Sequence, residues 1–268
     1  MSRISELFAK CRAEGRAALI AYLTAGDPSL ERTPSLVAAL ERGGAELIEL
    51  GVPFSDPVAD GPVIQRASER ALKAGATLRA ILDVASRIRE SSEIPILLFS
   101  YLNPVLRFGL EKLAPEAKAR GIDGCLLTDL SVEEARQYVD VMRQHQLDTV
   151  FLATPTSTPA RLRLVAEYSS GFVYLVSRTG VTGAQSSLSG AVAPLVRAMR
   201  ETTDLPLAIG FGISKPEHAR EAGSQADGVV VGSAFVHLVE EAAGDPGLEG
   251  KLEDLARQLK QALPVTVP

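Results

Sequence analysis

The sequence predicts an α/β fold: a (β/α)₈ TIM barrel with additional helices at the N-terminal and C-terminal ends. Eight apolar runs of strand length alternate with segments of helical period along the 268 residues. The runs are nearly continuous in Ile, Val, Leu and Phe, which is typical of parallel strands buried on both faces. They are residues 17–26, 45–53, 94–102, 123–130, 148–155, 171–177, 205–212 and 226–234.

The segments between the runs predict helices. They repeat apolar residues at helical spacing, and several begin with a Ser, Thr or Asp cap and end in Gly. Both ends of the chain are also amphipathic. Residues 1–20 lack the continuous apolar stretch of a signal peptide, and residues 247–263 predict a final helix. Helical spacing between the runs is clearest in residues 29–44, 77–92, 109–121 and 131–145.

An open, doubly wound sheet is the rival architecture. It ordinarily needs a second set of elements or a glycine-rich dinucleotide turn after the first strand, and LTAGDPS at residues 23–29 is not such a turn. No linker, low-complexity tract or block of charge divides the chain. We therefore expect residues 1–268 to form one barrel domain.

The composition is typical of a globular protein, with 46% hydrophobic residues and a formal net charge of −5. Mild acidity without a basic cluster argues against nucleic acid or an anionic membrane as a partner. No run approaches the ~18 apolar residues of a membrane span. Cys11 and Cys125 have no metal-type spacing, so we expect free thiols in a reducing cytoplasm. His145, His218 and His237 fall in predicted helices, which argues against a metal site.

Three carboxylates are concentrated in ELGVPFSDPVADGP, residues 49–62. Glu49 lies near the C-terminal end of the second predicted strand and Asp60 in the loop beyond it, the end of a barrel that carries the active site. If Glu49 faces the interior, desolvation raises its pKa above ~4.3 and lets it hold a proton near neutral pH. A glutamate pointing outward would instead pair with a lysine or arginine. Asp60 could equally be a capping residue, and Asp56, within SDP, favours a turn.

Three glycine-bearing segments follow the last three predicted strands. Glycines let backbone N–H groups approach an anion closely, and barrels frequently bind phosphate after strands 7 and 8. We therefore expect a phosphate site here, although each segment alone could merely turn the chain. The small, polar loop at residues 180–190 predicts a lid over the barrel mouth, or else a flexible loop without that role. The three segments are SRTGVTG (177–183), AIGFGIS (208–214) and VVGSAF (230–235).

Several chemistries are disfavoured by the residue types at the predicted strand ends. No lysine lies at a C-terminal strand end, which disfavours a Schiff-base aldolase. No cluster of His, Asp and Glu has metal-ligand spacing, which disfavours a metal-dependent enzyme. A pair of carboxylates beside a phosphate anchor remains, and such a site favours proton transfer with Glu49 as the acid or base.

The segment ELGVPFSDPVADGPVIQRAS, residues 49–68, closely resembles the signature region of the tryptophan synthase alpha chain family. The similarity extends along nearly the whole chain, since YLTAGDP, YLNPV, SRTGVTG, IGFGIS and DGVVVGSA occur in the family's order. This resemblance implies a TIM-barrel carbon–carbon lyase of tryptophan biosynthesis that cleaves indole-3-glycerol phosphate into indole and glyceraldehyde 3-phosphate. It also implies no cofactor on this chain. The implied partner is a beta subunit, in an α₂β₂ tetramer, that carries pyridoxal phosphate and consumes the indole.

The same resemblance implies roles for individual residues. Glu49 would be the catalytic acid and base, and Asp60 the carboxylate that interacts with the indole N–H. Asp56 would meet the lid residue Thr182 on closure, and Arg178 would lie at the base of the lid. The substrate pocket would be lined by Tyr22, Phe99, Tyr101, Thr128, Leu152, Tyr174, Arg178 and Thr182. The phosphate would be bound around Gly183, Gly210, Phe211, Gly212, Gly232 and Ser233.

Two departures from the family pattern concern the pocket. Thr128, Ser131 and Val132 stand in a stretch where proline is usual, and Tyr22 replaces the more usual phenylalanine, adding a hydroxyl that needs a partner or solvent. Three other functions stay open: a mainly regulatory interaction subunit, a free-standing lyase that releases indole, and a different phosphate-binding isomerase or epimerase. The last usually needs an Asp pair or a metal at several strand ends, which the sequence does not show.

Overall fold

Parallel strands and the helices between them make up the structure, a computed structural model that describes residues 2–176, 192–210 and 212–265. Each strand lies inside one of the predicted runs, whose last residues turn into the loops. The strands are β1 (Ala18–Thr24), β2 (Leu47–Gly51), β3 (Ile96–Ser100), β4 (Gly124–Leu127), β5 (Asp148–Val150), β6 (Leu152–Ala153), β7 (Val173–Val176), β8 (Leu207–Gly210) and β9 (Gly228–Val231).

The described strands form one parallel sheet in the order β5-β4-β3-β2-β1-β9-β8-β7-β6. Its edge strands, β5 and β6, come from a single predicted run and are separated only by Phe151. The Phe151 backbone N–H donates to the hydroxyl of Ser169 instead of to a neighbouring strand, which breaks the run at this residue. Because β5 pairs with β4 and β6 with β7, the sheet is nearly closed into the predicted barrel.

Helices connect the strands, and one further helix lies near each end of the chain. The predicted terminal helices are present as α1 and α12, and a 3₁₀ turn at Val132–Glu134 precedes α7. The helices are α1 (Arg3–Ala13), α2 (Thr33–Arg42), α3 (Pro62–Lys73), α4 (Leu78–Arg89), α5 (Leu102–Phe108), α6 (Leu110–Ala119), α7 (Arg136–Gln144), α8 (Pro159–Tyr168), α9 (Val192–Arg200), α10 (Pro216–Gly223), α11 (Ser233–Ala242) and α12 (Leu248–Ala262).

The buried apolar residues that the structure describes form two clusters, because alternate residues of each strand face opposite sides of the sheet. The outer cluster lies between the sheet and the helices and includes Ile48 and Leu50 of β2. The inner cluster lies inside the barrel and includes Leu47 of the same strand. An inward-facing polar side chain is therefore surrounded by apolar groups from several strands.

Helix α1 closes the N-terminal end of the barrel. Its residues Ile4 and Phe8 belong to the inner cluster, and the Phe8 ring lies 5.5 Å from that of Phe172, which directly precedes β7. Arg3 donates a hydrogen bond to the carboxylate of Asp123 at the start of β4. The opposite, C-terminal end of the barrel is therefore the end at which a ligand could reach the interior.

Cys11 and Cys125 are buried free thiols, as expected. His218 and His237 lie in helices, whereas His145 directly follows α7 as its C-cap. Within the described ranges, no group of three or more His, Cys, Asp and Glu residues is arranged to hold a metal ion. Of the helices described, none is both long and apolar enough to cross a membrane.

Candidate active site

Glu49 faces the interior of the barrel. In the sheet register it pairs with Tyr22 of β1 and Leu97 of β3, whose side chains belong to the inner cluster. Its side chain is 1% exposed, and its buried Oε1 atom has no hydrogen-bond partner among the described residues. Burial without a compensating partner raises the pKa of Glu49 from 4.5 to about 8. The carboxyl group is therefore protonated at neutral pH.

Asp60 lies in the loop between β2 and α3, two residues before the start of the helix. Its residue is 9% exposed, and its Oδ2 atom accepts a hydrogen bond of 3.0 Å from the hydroxyl of Tyr101. Burial raises the pKa of Asp60 to about 6, and the bond from Tyr101 limits the rise because it stabilises the ionised form. At neutral pH Asp60 is therefore ionised while Glu49 is protonated.

Tyr101 holds the loop that carries Asp60. It directly follows β3 as the N-cap residue of α5, and its hydroxyl also accepts the backbone N–H of Ala59 at 2.9 Å. Its ring packs on Phe54, at the other end of the loop, with the centroids 5.1 Å apart. Tyr101 thus fixes both the loop backbone and the orientation of the Asp60 carboxylate.

Aromatic side chains surround the two carboxylates. The rings of Tyr22 and Phe99 meet edge to face, with centroids 5.2 Å apart. Burial raises the pKa of Tyr22 well above its usual value, and Asp60 and Glu49, which are both ionised in the pH range where a tyrosine titrates, raise it further; the same causes act on Tyr174. Both phenols are therefore neutral and share one electrostatic environment with the carboxylates.

Two strand-end glycines leave room for these phenols. A Cβ atom on Gly51 would lie 2.3 Å from the hydroxyl oxygen of Tyr22, and one on Gly210 would lie 2.1 Å from that of Tyr174. Any side chain at either position would displace the phenol that crosses it. The glycines at the ends of β2 and β8 thus allow two tyrosines to reach towards the barrel mouth.

The remaining predicted pocket residues lie at neighbouring strand ends. Leu152 packs against the inner cluster from β6. Thr128 follows β4 and donates a hydrogen bond of 3.4 Å to the carbonyl of Ser100. Asp129, beside it, is exposed and accepts the backbone N–H of Leu102 at 2.7 Å, so it stabilises the start of α5.

The predicted phosphate residues that the structure describes lie after adjacent strands. Gly210 ends β8, and Gly212 adopts a φ of +82°, which favours glycine. Gly232 is the N-cap residue of α11 and Ser233 is the first residue of that helix. Because β8 and β9 pair directly, these backbone segments lie at one edge of the barrel mouth. The N-terminal amides of α11 are suited to an anion.

The loop residue Asp56 is exposed and accepts a hydrogen bond of 2.5 Å from the Ser55 hydroxyl. Four predicted site residues lie outside the described residues: Arg178, Thr182, Gly183 and Phe211. Thr24, whose hydroxyl lies 3.3 Å from that of Tyr22, was not predicted from the sequence. The two-residue spacing along a strand was the signal that could have identified it, since such residues share a face.

Comparison with known proteins identifies the family. The family model described as "Tryptophan synthase alpha chain" matches residues 8–264. A relative of that name from Solibacter usitatus (strain Ellin6076) is 66% identical over 261 residues, which cover 97% of this chain and 98% of the relative. A structure of Mycobacterium tuberculosis tryptophan synthase is 38% identical with a TM-score of 0.90, covering 100% of this chain and 99% of that chain. A structure of tryptophan synthase subunit alpha from Legionella pneumophila is 34% identical with a TM-score of 0.88, and 98% of each chain is covered. This chain belongs to the tryptophan synthase alpha chain family.

Proposed function

We propose that this chain is the alpha subunit of a tryptophan synthase and cleaves indole-3-glycerol phosphate into indole and glyceraldehyde 3-phosphate. The observation that carries the proposal is the protonated carboxyl group of Glu49. This carboxyl group faces the barrel interior, and burial raises its pKa to about 8. A carboxylic acid that is still protonated at neutral pH is suited to deliver a proton to a carbon atom of an aromatic ring.

Proton delivery makes the carbon–carbon bond breakable. A proton from Glu49 at indole C3 gives an indolenine, whose positively charged nitrogen accepts electrons when the bond from C3 to the side chain breaks. The adjacent side-chain hydroxyl loses its proton and becomes the aldehyde. Glu49, ionised by the first transfer, is available to take that proton. Asp60, ionised at neutral pH, stabilises the positive charge that develops on the ring N–H.

Binding would be divided between two parts of the mouth. The indole ring would lie against Tyr22, Phe99, Tyr101, Thr128, Leu152 and Tyr174. The phosphate would accept hydrogen bonds from backbone groups around Gly183, Gly210, Phe211, Gly212, Gly232 and Ser233, with the N-terminus of α11 adding favourable partial charge. Arg178 and Thr182 would belong to the lid, with Asp56 as the partner of Thr182.

The chemistry assigned to Glu49 and Asp60 requires proton transfer and charge stabilisation, and both side chains belong to this chain. We propose that the chain works without a cofactor of its own and passes indole to a beta subunit that carries pyridoxal phosphate. Because the family is biosynthetic, we also propose a cytoplasmic location.

Two exposed apolar side chains, on two segments at the barrel mouth, support the partner proposal. Val58 in the Asp60 loop is 79% exposed and Leu106 in α5 is 61% exposed, although both are large apolar residues. The two segments follow the adjacent strands β2 and β3 and are joined by the contact between Phe54 and Tyr101. We propose that the exposed sides of these two segments dock the beta subunit in an α₂β₂ tetramer.

Leu106→Ser should weaken association with a beta subunit without changing the fold. Analytical ultracentrifugation measures the association, and circular dichroism checks the fold. Unchanged association would contradict a role for Leu106 in docking.

Release of indole from indole-3-glycerol phosphate by the purified chain tests the catalytic proposal. We expect slow release that Glu49→Gln lowers by at least about a thousandfold, because the amide cannot transfer a proton. Glu241→Gln, on an exposed glutamate of α11, is the matched control and should keep the wild-type rate. Near-normal turnover by Glu49→Gln would remove Glu49 from the mechanism. If the wild type binds indole-3-glycerol phosphate but releases no indole, the regulatory subunit is favoured. If it releases indole rapidly without a partner, the free-standing lyase is favoured.

A further inference from the structure

Two buried hydroxyl groups lie side by side on the inner face of β1. Tyr22 is 5% exposed and Thr24 is 2% exposed, and their oxygen atoms are 3.3 Å apart. Residues two apart on a strand share a face, so both hydroxyls lie on the side of the sheet that carries Glu49. The proposed proton transfers use neither hydroxyl.

The two hydroxyl groups carry two hydrogens, and only one of them is needed for the hydrogen bond between Tyr22 and Thr24. Each hydroxyl can donate one hydrogen and can accept through its lone pairs, so one donated bond joins the pair and one hydrogen remains. That hydrogen has no acceptor among the described residues. The separation of 3.3 Å is also long for a bond between hydroxyl oxygens, whose typical separation is about 2.7–2.8 Å. Either hydroxyl can therefore turn towards a ligand at little cost.

The position of the phenol places this hydrogen at the aromatic pocket. The hydroxyl of Tyr22 extends over Gly51 at the end of β2, where no side chain fits beneath it. The ring of Tyr22 contacts Phe99 edge to face, and ionisation of Asp60 or Glu49 raises the pKa of its hydroxyl, so the phenol lies near both carboxyl groups. The hydroxyl pair is thus part of the wall that faces these two carboxylates.

We propose that Tyr22 and Thr24 form a polar subsite that extends the substrate class to indole-glycerol phosphates carrying a hydroxyl group on the six-membered ring. This inference rests on the proposed function and names a wider substrate class for the same site. A ring hydroxyl accepts the spare hydrogen of the pair and donates its own hydrogen to the second oxygen. An unsubstituted ring is also accepted, since the two hydroxyls then bond to each other.

The relative affinity for hydroxylated and plain indole tests this subsite. The chain contains no tryptophan, so the fluorescence of a bound indole can be read directly in a titration. The ring-hydroxylated indoles are titrated one isomer at a time, beside indole, into the wild type, Tyr22→Phe and Thr24→Val. For at least one isomer, we expect each substitution to lower the affinity relative to indole by about tenfold, because the ring hydroxyl loses a partner. Tyr138→Phe is the matched control. The Tyr138 hydroxyl is also buried, but it donates to the Cys125 carbonyl, and both residues belong to the outer cluster.

The outcomes separate this subsite from the proposed function. Cleavage of indole-3-glycerol phosphate is measured on the same preparations, with circular dichroism as the check that each variant is folded. If the wild type cleaves this substrate but both substitutions leave every relative affinity within about twofold, the subsite is wrong and the function stands. The subsite proposal is equally wrong if the Tyr138→Phe control lowers the affinity for hydroxylated indole, relative to indole, as much as the two substitutions do. A wild type that neither binds indole nor cleaves the substrate contradicts the function and the subsite together.

Discussion

Glu49 and Asp60 have different pKa values because their surroundings differ. Both carboxyl groups are buried, and burial raises the pKa of each. Of the two, Asp60 accepts a hydrogen bond from the hydroxyl of Tyr101, and this bond stabilises its ionised form. One carboxyl group is therefore an acid and the other an anion at the same pH, which suits a reaction that needs both.

Replacing Tyr101 should move the pKa of Asp60. In Tyr101→Phe the stabilising hydrogen bond is lost, so the pKa of Asp60 rises above about 6 and more of the group is neutral at pH 7. The acidic limb of kcat/KM for indole-3-glycerol phosphate should shift to higher pH, and kcat at neutral pH should fall. Both enzymes receive the same substrate, so titration of its phosphate cancels from the comparison. An unshifted acidic limb would show that Tyr101 does not set the charge of Asp60.

For single residues, the sequence could predict which face of the sheet a strand side chain occupies, because this follows from strand alternation. Alternation separated Glu49 from Ile48 and Leu50, and the structure places it on the inner face. The bond between Tyr101 and Asp60 could not be predicted, because it joins a loop to the end of another strand through loop geometry that has no sequence period. The roles of the site residues stay predictions until the variants are measured.

Among the elements, α3 is tied to its neighbours by an ion-pair cluster around Arg70. Its guanidinium donates bonds of 2.9 and 2.8 Å to the two carboxylate oxygens of buried Asp27, in the loop after β1, and one of 2.8 Å to Glu240 of α11. Arg66 also donates to Glu240 but not to Asp27. The cluster thus joins the helix that follows Asp60 to the helix whose N-terminus carries Ser233.

Arg70→Met should destabilise the protein more than Arg66→Met does. The first substitution leaves the carboxylate of Asp27 buried without its cation, and we expect the free energy of unfolding to fall by about 2 kcal/mol. Arg66 is nearly half exposed, and its loss should cost less than about 1 kcal/mol. Urea denaturation of the two variants and the wild type measures both values. Equal effects would show that the Asp27 contact does not stabilise the fold.

Long apolar runs in the sequence predicted which segments form strands, but they did not predict the residues at which those strands end. Every predicted run contains strand residues, but the run at residues 148–155 is split because Ser169 provides a side-chain acceptor for the Phe151 amide. This acceptor lies at the C-terminal end of α8, eighteen residues along the chain from Phe151. Periodicity within a run cannot reveal such a partner.

Across the whole molecule, the inner cluster runs from the helix that closes the bottom of the barrel to the candidate site at its mouth. Phe8 of α1 and Tyr22 of β1 belong to this same cluster. The alternation of strands and helices predicted the barrel, and the strand order confirms it. The closure by α1 was not predicted, because amphipathic spacing shows that a helix packs but not where. A single domain across residues 1–268 stays a prediction.

Removing the Phe8 side chain should weaken the entire barrel. Phe8→Ala leaves a cavity against Phe172 inside the inner cluster, and we expect a loss of about 3–4 kcal/mol in the free energy of unfolding. Leu106→Ala, on a 61% exposed side chain, should change it by no more than about 0.5 kcal/mol. Urea denaturation followed by circular dichroism gives both values. A Phe8→Ala protein as stable as the wild type would contradict the closure of the barrel by α1.

The pH dependence of kcat/KM for indole-3-glycerol phosphate is the sharpest test of the roles proposed for the two carboxyl groups. Glu49 acts as an acid only while it is protonated, so the rate should fall as the pH rises through its pKa of about 8. Asp60 acts only when ionised, so the rate should also fall as the pH drops through its pKa of about 6. We therefore expect a bell-shaped profile between these values. A rate that shows no loss up to about pH 10 would contradict a protonated Glu49 as the catalytic acid.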